Sequence, residues 1–170
     1  MNPNYVVETE EMKALLEKVL KAYAGYYNVN RSAPLEPFAA EAEFRLHDEQ
    51  YFLIKSAKVS EADSREFVYF ATVDRLDKAA FEELDRISWE DGLSRAEIGE
   101  HHRNSDVSLV ILANHVDPDA AKLLKKTRHY KSYRFGLRGW SDNHTIVYEL
   151  STGKETHNRT GDHLAQVFKQ

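Results

Sequence analysis

Apolar positions first recur at helical spacing. Met12, Leu15, Leu16, Val19, Leu20 and Tyr23 follow the i, i+3, i+4, i+7 rule, and Tyr26 and Tyr27 continue it, which predicts a first helix. Thr9 is placed to cap it, Glu10 and Glu11 occupy its electropositive first turn, and Gly25 ends it. Residues 28–37, with two prolines, read as a loop. The period then falls to two. Ala42, Phe44 and Leu46 alternate with Glu43, Arg45 and His47. Residues 51–59 form a second strand, and residues 67–73, rich in aromatic and β-branched side chains, a third. Together they predict a three-stranded antiparallel meander.

A second helix is expected over about residues 76–91, with Leu76, Ala80, Phe81, Leu84 and Ile87 as its buried stripe and Gly92 at its stop. A loop containing His101 and His102 follows. Residues 107–113 are the most apolar stretch and predict a central strand. Asp117 and Pro118 then open a helix that runs to about Thr127: a capping residue, then proline where its missing N–H costs nothing. Residues 130–137 read as another strand. A strand–helix–strand unit implies two parallel strands joined by a right-handed crossover. Residues 139–144 turn the chain into a returning antiparallel strand marked by Ile146, Tyr148 and Leu150. Leu164, Val167 and Phe168 anchor a short last helix. The expected fold is α/β, or α+β: the meander, the strand–helix–strand unit and the hairpin in one mixed sheet flanked by helices. Without repeats, low-complexity tracts or linkers, residues 1–170 read as one domain.

Composition narrows the chemistry. The chain has 170 residues and no cysteine, which removes disulfides, cysteine nucleophiles, iron–sulfur clusters and cysteine-rich zinc sites. Residues 1–11 carry acids and no apolar leader segment, and the longest apolar run, residues 109–113, is far short of the roughly 20 needed to cross a bilayer. A soluble, cytoplasmic protein without membrane contact is expected. The Asn-x-Thr triplets at Asn143 and Asn158 are then chance matches.

Charge changes the picture more. Residues 1–119 hold 13 Lys+Arg against 24 Asp+Glu, a net of −11, whereas residues 120–170 hold 10 against 4, a net of +6. The stretch 122–138 has seven basic residues and no acid. Such asymmetry points to an anionic ligand, or to a basic half docked on an acidic half within one molecule or between copies in a homodimer. On the 130–137 strand, Arg134 and Arg138 share one face with Tyr130 and Ser132, and Lys131, Tyr133 and Phe135 share the other, with Tyr133 and Phe135 expected in the core. Trp140 lies in the turn that follows. A basic strand meeting an aromatic turn makes Lys131, Arg134, Arg138, Trp140 and His144 the candidate binding residues, for an anionic small molecule or a protein partner. The acidic total argues against nucleic acid.

Enzyme motifs are missing. None of the seven glycines forms a dinucleotide or phosphate loop, and there is no GxSxG, HExxH or calcium-loop pattern. The GxxG of Gly136 and Gly139 reads as turn geometry. The element order resembles the core of restriction-endonuclease-like nucleases. Their metal-binding acids and lysine find no match here: YFLIKSAKV has no acid, and Glu66-Phe67-Val68 has valine where lysine is needed. The parallel-strand assignment brings His115, Asp117 and His144 to the C-terminal sheet edge where ligands favour binding, so they are the candidate metal ligands of an alternative metal-dependent hydrolase or phosphodiesterase, with Arg138 on the phosphate. No cofactor is indicated.

Several segments are similar to a bacterial family of single-domain proteins with no assigned function. They are Leu46-His47, Tyr51 to Lys55, Ala57-Lys58, Lys125-Lys126, Lys131-Ser132-Tyr133, Gly139-Trp140 and Asn158 to Gly161, across roughly residues 43–168. The resemblance implies no catalytic residues. It does imply that a Lys-Ser-aromatic strand running into Gly-Trp is a family feature, which draws attention to residues 131–144.

Overall fold

A computed structural model describes residues 8–45, 63–100 and 102–169. The expected strand at 51–59, the resemblance segments within 46–58, and His101 lie outside them. The first helix, α1, spans Glu10–Ala24, and the Thr9 side chain accepts from the Met12 N–H at its start, as the sequence predicts.

Among the described residues, seven strands form one mixed sheet. They are β1 (Asn28–Asn30), β2 (Ala40–Arg45), β3 (Asp63–Leu76), β4 (His102–Val116), β5 (Tyr130–Ser132), β6 (Trp140–Glu149) and β7 (Lys154–His157). Their order is β1-β2-β3-β4-β6-β5, with β7 also on β6. The expected α/β mixed sheet flanked by helices is therefore observed. Strands β1, β2 and β3 pair antiparallel in succession, so a three-stranded meander exists, but it begins at β1, inside the predicted loop.

The parallel centre is larger than expected. β3 and β4 pair in parallel and are joined by α2 (Lys78–Arg95); β4 and β6 also pair in parallel, and α3 (Pro118–Lys126) follows β4. The strand expected beside β4 is not the one found there. The segment 130–137 is not the parallel partner of β4. Only Tyr130–Ser132 is strand, antiparallel to β6 at its outer side, and β6 itself takes the place beside β4. The physical reason is burial. β6 supplies buried Ile146 and Val147 to the two faces of the sheet, whereas all three β5 residues are exposed and can serve only as an edge.

Strand alternation divides the core between two faces. Phe67, Tyr69, Leu109 and Ile111 pack beneath Phe81 and Leu84 of α2 and Leu124 of α3. Val68, Phe70, Val110, Leu112 and Ile146 pack beneath α1 and a C-terminal 3₁₀ segment, Asp162–Phe168. Asn158 ties that last segment to the sheet. Its Oδ1 accepts from the Thr145 N–H at 3.0 Å and its Nδ2 donates to the Thr127 carbonyl at 3.1 Å, with the residue only 1% exposed. Gly161 lies so close to Thr145 that a Cβ would fall 2.5 Å from its carbonyl oxygen. Among the described residues no helix is long and apolar enough to cross a membrane.

Replacing Asn158 with Ala should strand a buried backbone N–H and cost about 2–3 kcal/mol of unfolding free energy, read as a lower urea midpoint. An unchanged midpoint would mean that water replaces the amide.

Candidate functional site

The segment joining β5 to β6 is a tight, fixed hairpin. Tyr133 N–H donates to the Gly139 carbonyl at 2.9 Å, and the Gly136 and Arg138 N–H groups both return to the Tyr133 carbonyl. A 3₁₀ turn, Arg134–Gly136, forms the tip. Arg134 and Phe135 hold φ values of +48° and +55°, the positive-φ non-glycine residues among those described, followed by Gly136 at +88°. Side-chain-bearing residues adopt this region at a cost of roughly 1–2 kcal/mol each. Gly139 is required where it stands: its φ is +78°, and a Cβ there would lie 1.9 Å from the Arg103 carbonyl oxygen.

A histidine latches the hairpin base to β4. His102 Nδ1 lies 2.5 Å from the Arg138 carbonyl oxygen, and its Nε2 lies 2.8 Å from Ser105 Oγ. The carbonyl can only accept, so Nδ1 carries the proton. Tyr133 stands edge-on to the same ring at 5.5 Å and shares a hydrogen bond with Ser141 Oγ.

The tip projects unusual side chains. Phe135 is fully exposed and Leu137 is 83% exposed, with Tyr130 and Trp140 exposed at the base. This corrects the expectation that Phe135 packs in the core with Tyr133. The left-handed turn ends the strand after Ser132 and throws Phe135 outward, while Tyr133 stays half-buried. Two glycines within four residues were the signal for a turn over a strand. For the same reason Arg134 and Arg138 do not share a strand face. Lys131 and Arg134 are exposed, Arg138 is half-buried, and the Lys131 ammonium lies 5.5 Å from the Tyr133 ring centre.

His144 belongs elsewhere. Because β6 runs parallel to β4, His144 stands opposite Ser108, in the N-terminal half of the parallel strands. His115 is seven residues farther along β4, about 23 Å at strand rise. The expected convergence of His115, Asp117 and His144 at one sheet edge is therefore overturned. Asp117 caps α3 in position only; its carboxylate instead takes a two-point contact from Arg75, at 2.7 and 3.1 Å. Among the described residues no group of three or more His, Asp or Glu side chains is placed to hold a metal ion.

A polar cluster surrounds His144. The same sheet face that carries Val68, Val110 and Ile146 changes, two residues earlier along each strand, to Glu66, Ser108 and His144, and Asp106 precedes Ser108 by two more. Glu66 accepts from Tyr27 OH at 2.5 Å and from Ser108 Oγ at 2.6 Å. His144 Nε2 lies 3.6 Å from Asp106 Oδ2, and His163 stands edge-on to its ring. Asp106 Oδ1 and His144 Nδ1 are buried without a hydrogen-bond partner. Burial lowers the imidazole pKa, but the Asp106 contact and the charges of Asp106, Glu66 and Asp142 outweigh it and leave the pKa raised. The imidazolium is thus neutralised internally, so an anion approaching His144 would meet carboxylates. The sequence hint was faint: single acids at the starts of apolar strands.

A second histidine joins the hairpin to α2. His129 Nε2 lies 2.6 Å from buried Asp85 and its ring stacks on Trp89 at 5.3 Å. The Asp85 hydrogen bond raises its pKa, against a smaller lowering by burial.

A family model described as a domain of unknown function (DUF8052) matches residues 11–170. Comparison with curated proteins and with solved structures returns no match.

Both raised histidines stabilise the fold in their protonated form. Their contribution is complete below the unfolded value near pH 6.5 and is lost as pH rises through the higher folded values. The thermal midpoint should therefore fall as pH rises from about 6.5 into the alkaline range, and less steeply in Asp85→Asn. A wild-type midpoint that rises over this range would contradict the assignment.

Proposed function

The chain belongs to the DUF8052 family, whose description assigns no activity, and from its own geometry we propose that it is a non-catalytic binding domain that engages an anionic partner through the β5–β6 hairpin. The observation that carries this reading is a rigid, basic, aromatic tip held clear of the rest of the molecule. Lys131, Arg134 and Arg138 supply the positive charge there, within a C-terminal stretch whose net charge is +6. Exposed arginines on a preorganised turn are suited to carboxylate or phosphate groups, because the planar guanidinium donates in pairs. Trp140 and Tyr130 supply flat apolar contact at the base.

His144 has no part in holding the anion in this reading, since its charge is met by Asp106. The alternative of a metal-dependent hydrolase draws no support from His115, Asp117 and His144, which lie apart. The cysteine-free composition supports a reducing, cytoplasmic setting, and resemblance to a bacterial family supports a bacterial one.

Titration with polyglutamate tests the reading. Binding should weaken as salt rises, and Lys131→Ala, Arg134→Ala and Arg138→Ala should each lose about 0.5–1.5 kcal/mol, with His144→Ala unchanged. Equal binding by all four variants and the wild type would remove the hairpin from consideration.

A further inference from the structure

We propose that the hairpin's partner is a protein with an apolar pocket ringed by carboxylates, and that Phe135 inserts into that pocket. The inference rests on the hairpin being the contact surface and names what occupies it.

Water-exposed aromatic surface is unfavourable for an isolated domain, yet the chain concentrates it here. Of the seven exposed large hydrophobic residues among those described, four lie between Tyr130 and Trp140. The two most exposed, Phe135 and Leu137, sit beside Arg134 and Arg138. An apolar centre with arginine around it is the composition of protein contact hot spots. The charges select a complementary acidic rim.

The backbone points the same way. The tip is held by hydrogen bonds at both ends, including Leu137 N–H to Arg134 carbonyl at 3.0 Å and Gly139 N–H to Gly136 carbonyl at 3.2 Å. Phe135 is locked in a left-handed conformation that asparagine or glycine would adopt at less cost. A strained, fixed presentation of an aromatic ring gains affinity against a shaped pocket, because little freedom is left to lose. A fluid surface would not reward it.

Other occupants fit less well. Two apolar side chains bury too little to hold a bilayer, and the net −11 of residues 1–119 opposes an anionic leaflet. Three basic side chains release few counterions from nucleic acid, and the whole chain is acidic. A second copy is a poor match too. The apolar groove beside α1 carries Lys18, Lys21 and Arg31 against Glu17, the same sign as the hairpin, and in the groove along β1 and β2 the carboxylates of Glu41 and Glu43 are already paired with Arg95.

The test uses the full chain as bait for a displayed random-peptide library, with selected peptides synthesised and titrated. Vesicles containing phosphatidylserine and an oligothymidylate are titrated in parallel. The expected result is peptides in which Leu, Phe or Trp is flanked by Asp and Glu. Phe135→Asn should weaken them about 30-fold or more while leaving the thermal midpoint unchanged or higher, since Asn relaxes the backbone. Loss of affinity with a gain of stability is an outcome that misfolding does not produce. If vesicles or oligothymidylate bind the hairpin and no peptide does, the anionic contact surface stands and the protein partner falls. Peptides that bind Phe135→Asn as tightly as wild type also overturn the insertion, and Arg134→Ala then reports whether the basic surface still matters. If no anionic probe binds, both readings fail together.

Discussion

Parallel pairing of β4 on both of its sides is the constraint from which the rest of the molecule follows. β4 hydrogen-bonds to β3 through most of its length and to β6 from Asn104 to Ala113. A strand in that position has no free edge and no wet face, so residues 107–113 must be apolar throughout, and they are, apart from Ser108. Each parallel neighbour requires a connection that crosses the sheet, which is why α2 and α3 exist and why both bury their stripes in one core. The opposite face is left for α1 and the C-terminal 3₁₀ segment.

The same three strands that build the core also build the polar cluster. Register places Ser64, Asn104 and Trp140 level with one another, then Glu66 with Asp106, then Val68, Ser108 and His144. Moving along the sheet therefore changes the face from charged to apolar in steps of two residues. Most of the cluster's polar groups are met within it, Asp106 Oδ1 and His144 Nδ1 excepted. Tyr27 and Ser108 satisfy Glu66, Asn104 donates to Asp106 at 3.0 Å, and His144 faces the same carboxylate. Burial and the Glu66 charge push the Tyr27 hydroxyl pKa well up, so it remains a donor. The cluster joins the turn after α1, the C-terminal segment and three strands into one unit.

The hairpin is the exception to this economy. It spends backbone strain at Arg134 and Phe135 and leaves apolar surface in water, while His102, His129 and Gly139 anchor its base to β4 and α2. Each anchor is local and polar, and none covers the tip. A feature that the fold supports but does not use is the place where contact with another molecule is expected.

Sequence by itself determined whatever depends on neighbours close along the chain. The helical stripe of Met12, Leu16, Val19 and Leu20, the Thr9 cap, the Asp117–Pro118 start of α3, and the mixed α/β character were all legible, because capping and periodicity are short-range. The basic segment 131–140 was legible as a place of interest for the same reason. Tertiary structure alone decided which strand lies beside β4. Residues 130–137 and 140–149 both alternate well enough to be strands, and only burial of Ile146 and Val147 on the two faces of the sheet separates them. That decision moved His144 from the company of His115 to that of Asp106, because reversing the direction of one strand sends its side chains to the other end of the sheet.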